Sequence, residues 1–163
     1  MNVTIYMSPY QKLRVYWKSL GLNVQRGVPE SAVRLFETQN SLILPPDVRD
    51  YFLNVNGMEQ VCGHDCDANG FSFWPLQLVK SAPAVCAAES IGAPTLPNAE
   101  QYYVFADYMQ WSWAYAIRLG SEPWGINDVV HVGTVAPKAV AGSFTEFVEL
   151  YLTNSQVLYP NPR

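Results

Sequence analysis

Basic residues are scarce in this chain. Ten Lys and Arg stand against 14 Asp and Glu over 163 residues, a formal charge of -4, and the isoelectric point lies near 5.0. A surface that grips phosphates needs clustered cations, so a general nucleic-acid binder is excluded. Histidine occurs twice, and there are three cysteines, Cys62, Cys66 and Cys86. An odd count does not build the paired framework of a small secreted scaffold and points to a reducing, cytoplasmic setting. The most apolar stretch, 102–119, contains Asp107, Gln110 and Arg118 and alternates in polarity. It cannot span a bilayer, and no membrane partner is expected. Met1 to Tyr6 show no basic region ahead of an apolar run, so no secretory leader is expected. Repeats and low-complexity linkers are lacking. So are the G-x-S-x-G elbow, the G-x-x-x-x-G-K-[ST] phosphate loop and the G-x-G-x-x-G fingerprint. Catalytic constellations are therefore thin, and no catalytic residue, cofactor or metal is expected.

Rings are plentiful. Aromatic content is 13%, with five Trp, ten Tyr and seven Phe, and such side chains dominate either a core or a contact surface. At this length a single domain, 1–163, is expected, burying roughly 70% of the surface its unfolded chain exposes. Charge is uneven along the chain. Lys12, Arg14, Lys18, Arg26 and Arg34 against Glu30 give the first 34 residues a balance of +4, which leaves -8 for the remainder. This asymmetry means either two functional faces or merely different solvated helix surfaces; an acidic body suits a basic protein partner.

Local signals predict three helices in the first third. Ser8-Pro9 is an N-cap with proline at the first helical position, followed by Leu13, Tyr16, Trp17 and Leu20 on one face, and Gly21 stops the helix. A second helix runs from about Pro29 to Gln39. A third starts at Pro45-Pro46, places Val48, Tyr51, Phe52 and Val55 on one face, and ends at Asn56-Gly57, where glycine can adopt the left-handed C′ conformation. The period then changes. Phe71 to Trp74 reads as a strand closed by Pro75, 80–91 as a short helix and loop, and 92–100 as irregular. Tyr102 to Ala106 and Trp111 to Leu119 read as a hairpin around a turn at 107–110, with a further strand at 128–135. Ser143-Phe144-Thr145-Glu146 is a capping box opening a last helix with Phe144, Phe147, Val148 and Tyr151 on its apolar face. The order is α+β: a single domain whose antiparallel sheet is packed by N-terminal helices and a C-terminal helix.

Several of these pieces carry a resemblance. Phe36-Glu37 on a helix, then Leu44-Pro45 opening the aromatic helix of Tyr51-Phe52-Leu53, then Asn56-Gly57, resemble the signature of the SUKH superfamily, the Smi/Knr-like fold. Phe73-Trp74-Pro75-Leu76, Val104-Phe105-Ala106-Asp107 and Ser143-Phe144-Thr145-Glu146-Phe147 look like its later strands and closing helix. The match covers about 29–152, and the first 28 residues are an added helix and lead-in. Asp107-Tyr108-Met109-Gln110 stand where relatives often carry a glycine-rich turn. The resemblance implies a non-enzymatic binding fold, in bacteria commonly an immunity protein that neutralises a cognate toxin domain of nuclease or deaminase type. In eukaryotes it implies a regulatory scaffold binding an endogenous protein or peptide. Either is expected to be a monomer or weak dimer.

The remaining motifs have plain readings beside functional ones. Asp65-Cys66-Asp67-Ala68-Asn69-Gly70 matches the front of a calcium loop, but the twelfth position is Leu76 rather than Glu, and a polar turn feeding a strand is expected. Cys62, His64 and Cys66 offer zinc-type ligands without a fourth. Dyads of Cys86 or Cys66 with His131 would require those residues to meet in the fold. Asp47 and Asp50 suit a helix first turn for dipole reasons. Alternation puts Trp111, Trp113, Tyr115 and Ile117 on one strand face, expected to be core, and Ser112, Ala114, Ala116 and Arg118 on the other. Because Trp, Tyr and Arg dominate interface hot spots, the expected partner-binding residues are Asp107, Tyr108, Trp111, Trp124 and Arg118.

Overall fold

The computed structural model describes residues 5–59, 66–90, 94–134 and 136–160. Ser8 starts α1 (Pro9–Ser19) as expected, and its backbone N–H donates to the Gln11 side chain at 2.8 Å. Helix α2 spans Glu30–Asn40 and α3 Pro46–Asn54, each with a proline at its N-cap. Glu37 explains why the Phe36-Glu37 and Leu44-Pro45 segments belong together. Its carboxylate accepts from the Leu44 N–H at 3.0 Å and from Arg49 at 2.8 Å, which pins the start of α3 onto α2. Asp47 extends the chain of caps, accepting from the Thr145 N–H at 3.0 Å and hydroxyl at 2.8 Å, at the first turn of α5 (Phe144–Leu152). The Ser143 hydroxyl accepts from Glu146 N–H as the capping box requires, whereas the Glu146 side chain reaches back to the Gly142 N–H.

The sheet is antiparallel. Strands β1 (Phe71–Phe73) and β2 (Lys80–Ser81) both pair with the same side of β3 (Tyr102–Tyr108), and Trp74 to Val79 loop out between them. From β3 the order continues through β4 (Trp113–Arg118), β5 (Val129–Val132) and β6 (Ala139–Ala141). Strands β2 and β6, three residues or fewer, carry too little alternation to have been expected from sequence. Helix α4 (Ala82–Ala88) falls inside the expected 80–91 segment. The result is the α+β arrangement read from the sequence. No helix among the described residues is long and apolar enough to cross a membrane.

Both sheet faces are buried. The inner face packs Phe71, Phe73, Tyr103, Phe105, Tyr115 and Ile117 against α1, α3 and α5. Phe73 sits among Trp17, Tyr151 and Phe147, with centroids 5.2, 4.8 and 6.0 Å away. The outer face is a second, smaller cluster in which Val104, Ala114, Ala116, Val130 and Val132 meet α4 residues Ala82, Val85 and Cys86. Small alanines on β4 serve here as covered core rather than as a solvent face.

A buried polar chain crosses the inner core. The Trp17 indole donates to the Tyr151 hydroxyl at 2.9 Å, which donates to Asp67 at 2.5 Å. The other Asp67 oxygen accepts from the Asn69 and Phe71 N–H groups, both at 2.9 Å. This is the polar turn feeding a strand: Asp67, 4% exposed, spends its oxygens on protein donors rather than facing outward as a cation ligand.

A second chain holds the C-terminal segment. Tyr115 donates to the Leu158 carbonyl at 2.8 Å, and His131 Nε2 bonds the same oxygen at 2.7 Å, which makes Nε2 the protonated nitrogen. His131 is 1% exposed and its Nδ1 has no partner. Burial, with Lys138 adding to it, pushes the imidazole below its ordinary 6.5 despite the Leu158 bond.

Two outcomes follow from these chains. Tyr151→Phe keeps the ring but leaves the Trp17 N–H and one Asp67 oxygen short of a partner, an expected loss of about 3 kcal/mol in urea unfolding. Below pH 6.5 the unfolded chain takes up a proton at His131 that the folded chain refuses. Stability therefore falls as pH drops through that value, and His131→Phe removes this part of the slope in pH-dependent melts.

Candidate functional site

A β-bulge decides what the hairpin presents. Val104 pairs with Ala116 and Ala106 with Tyr115, so Phe105 is an extra residue and both Phe105 and Ala106 face inward. Beyond the bulge the faces exchange: Asp107, opposite Ala114 and Ser72, lies on the outer face, and Tyr108, opposite Trp113 and Phe71, lies on the inner one. Bulges commonly re-aim a side chain in this way.

Trp74 is brought over Asp107 by the Asn56-Gly57 corner. Both residues are left-handed, with φ of 53° and 80°. Asn56, rather than glycine, takes the first left-handed place after α3, and its side-chain oxygen accepts from the Leu76 N–H at 2.8 Å. A Cβ on Gly57 would stand 2.6 Å from the Trp74 carbonyl carbon, so only glycine allows the approach. Thus placed, the Trp74 indole donates to Asp107 Oδ2 at 2.7 Å.

Trp111 comes from the turn. Strand β3 runs two residues further than expected, and Met109, Gln110 and Trp111 form the connection with φ of 47°, 53° and 73°. Three successive non-glycine residues in this region cost roughly 1–2 kcal/mol each. The surroundings hold them there. Met109 N–H donates to the Gly70 carbonyl at 2.8 Å, and Ser112 N–H closes the turn on Tyr108 at 3.0 Å. Trp111 N–H approaches Asp107 Oδ1 at 3.4 Å, and its ring meets Trp74 edge-on with centroids 4.7 Å apart.

The two indoles, Asp107 and Ser72 form one end of a cleft of about 260 Å³ on the outer face. Among the described residues, Val85, Ala88 and Glu89 from the α4 region, Leu78 from the β1–β2 excursion, Lys80 of β2, and Cys66 and Gln110 also line it. Asp107 is 7% exposed, Trp111 is half-buried, and Lys80, Glu89, Gln110 and Cys66 are exposed.

The five expected binding residues therefore do not form one site. Asp107 and Trp111 meet in the cleft, and Trp111 leaves the Trp113, Tyr115 and Ile117 face because it sits in the turn rather than on β4. Tyr108 lies behind the sheet, stacked on Trp113 at 4.2 Å and 17° with Tyr159 edge-on at 5.4 Å. Arg118 is at the far end of β4, roughly 17 Å away at about 3.4 Å per residue, where its Nε donates to Gln101 at 3.0 Å. Trp124 lies beyond it in the β4–β5 loop, 79% exposed. Trp74 and Ser72 were the residues missed. Alternation from Phe71 and Phe73 puts them on one face, but nothing local reveals that Asp107 shares it.

Catalytic pairings find no support in the geometry. Cys86 belongs to the outer cluster, its thiol pushed up by burial, and His131 to the inner side of β5, so the sheet separates them. Cys66 on the outer cleft is separated from His131 in the same way. Cys62, His64 and Asp65 lie outside the described residues. Among the described residues no group of three His, Cys, Asp or Glu could hold a metal.

Glycine at an exposed left-handed position escapes the Cβ penalty, so Gln110→Gly is expected to stabilise the fold by about 1 kcal/mol in urea unfolding. No protein-family model and no curated protein matches this chain.

Proposed function

We propose that this chain is a non-enzymatic protein-binding domain of SUKH type, acting in the cytoplasm as an immunity protein that neutralises a bacterial toxin domain of nuclease or deaminase type. The observation that supports it best is the strained turn. A chain that spends several kcal/mol to hold Met109, Gln110 and Trp111 left-handed, where glycines would be free of that cost, keeps those side chains for contact. Trp111 stands half-buried over Trp74, the arrangement of an aromatic anchor in a desolvated rim. The mechanism is occlusion: the hairpin end covers a toxin surface, and the acidic body, carrying -8 beyond residue 34, speeds encounter with a basic partner.

The test is affinity capture with the purified chain, followed by assay of the captured toxin's activity with and without it. One basic toxin domain, inhibited on binding, is expected. Trp111→Ala is expected to weaken binding by about 30-fold or more, equivalent to about 2 kcal/mol, while a thermal melt shows a folded chain. Capture of housekeeping proteins alone would move the reading to a regulatory scaffold, and unchanged binding by Trp111→Ala would remove the hairpin end from the interface.

A further inference from the structure

We infer that the segment following α5, residues 155–160, is a strap released from the sheet when His131 takes up a proton, and that its release uncovers the Tyr108–Trp113 stack beside the hairpin turn. The strap is built around a short 3-10 turn, Gln156–Leu158, whose own bonds are local: the Leu158 N–H donates to the Ser155 carbonyl at 3.2 Å and the Tyr159 N–H to the Gln156 carbonyl at 3.1 Å. Leu158 is fully buried, whereas Gln156 and Val157 before it are exposed. Two donors of the sheet, Tyr115 and His131, converge on the one Leu158 carbonyl. The Tyr159 ring stands edge-on to Tyr108 and Trp113, with centroids 5.4 and 6.3 Å away. Beside these anchors the docking is loose. Gln156, Tyr159 and Pro160 share a cleft of about 980 Å³ with Tyr108, Trp113 and Thr134, where a close-packed contact would leave almost no void. The closed arrangement also leaves His131 Nδ1 and the Thr134 hydroxyl buried without a hydrogen-bond partner, at a cost in free energy. An element with one buried anchor and locally closed bonds is of the kind that opens ahead of the whole fold.

Protonation selects this opening. Nε2 of His131 already carries the proton that bonds Leu158, so a second proton goes to Nδ1, where it finds no acceptor and charges a ring that is 1% exposed. The groups that face the ring do not offset that charge. Tyr115 on β4 is neutral, its phenol pushed up by burial, and Lys138 in the β5–β6 turn is itself a cation. The Leu158 carbonyl of the strap favours the imidazolium but is outweighed by burial. The charged ring is therefore stable once it reaches water. Strands β4 and β5 hold Tyr115 and His131 opposite each other inside the sheet, so the strap is the element that moves. Uncovered, the imidazole regains its ordinary 6.5. Opening is favoured as pH falls below that value and closure as pH rises above it.

The experiment is native-state hydrogen exchange of the full chain, expressed as protection relative to the unfolded rate so that the intrinsic pH dependence cancels. The Leu158 and Tyr159 amides are expected to be less protected than those of β4 and β5, and to lose up to about tenfold in protection per pH unit below 6.5. The Trp113 indole N–H, bonded to the Tyr115 hydroxyl at 2.9 Å, is expected to exchange with the strap rather than with the sheet. His131→Gln keeps an amide donor for the Leu158 carbonyl and does not titrate, so strap protection is expected to stay flat over the same range. Should that variant fail to fold, Tyr115→Phe carries the test: withdrawing the other donor is expected to lower strap protection severalfold at every pH and to keep the slope. Strap amides as protected as the sheet, strap protection that does not change with pH, a slope retained in folded His131→Gln or lost in Tyr115→Phe, or a Trp113 indole that exchanges with the sheet would overturn the proposal.

Discussion

The burial of one carboxylate organises this fold. Asp67 lies almost out of solvent between the sheet and the helices, and a polar group there is tolerable when donors surround it. Two donors are backbone N–H groups of its own turn and a third is the Tyr151 hydroxyl, itself engaged by the Trp17 indole. The turn, α5 and α1 are thus tied at one point. Removing any member strands another in a region of low dielectric, so the cost exceeds that of a surface hydrogen bond. The turn also starts β1, and where β1 starts decides that Phe71 faces Tyr108 and Ser72 faces Asp107.

From that register the outer cleft follows by geometry. The Phe105–Ala106 bulge exchanges the faces of β3 at the point where it meets β1, and the Asn56-Gly57 corner sets Trp74 down beside the carboxylate the bulge has turned outward. Gly70 completes the arrangement. With φ of +95° it lets Met109 approach so closely that a Cβ would come within 2.7 Å of the sulfur. A left-handed turn of three residues with full side chains survives because both of its ends are held by bonds that belong to the core. Strain at one end of the sheet is offset by packing at its centre, a distribution typical of binding sites.

The other exposed aromatic, Trp124, belongs to a different region. It shares its loop with Ile126, 70% exposed, and the strand β4 lies between it and the cleft. Arg118 at that end already serves Gln101, and the neighbouring Tyr102 phenol, pushed up to about 12 by burial and then by its bond to Asp128, is likewise committed. The hairpin end and the loop end therefore differ in kind: one is a cleft lined by oriented polar groups, the other a protruding apolar tip.

Much of the architecture was legible in local pattern. Ser8-Pro9, Pro45-Pro46 and Ser143 announced helices because capping and proline geometry act within four residues, and the period-2 run of Tyr115 and Ile117 announced β4 because alternation is intrinsic to a pleated strand. The aromatic content was legible too, and most of it became core. What sequence could not supply was anything that depends on a partner segment distant along the chain. The bulge in β3 exists because β4 has one residue fewer to pair, and the left-handed turn is stable because Gly70 and Asp107 hold it. Local pattern predicted Trp111 as a strand residue beside Trp113, whereas its place over Trp74 is a property of two loops meeting. The sequence by itself determined the helices, β1, the hairpin and β5, the acidic charge and the stock of rings, because these arise from neighbours along the chain. The tertiary structure alone decided which ring stands beside which carboxylate, because register and bulge are set across strands, and a shift of one residue sends every side chain to the opposite face.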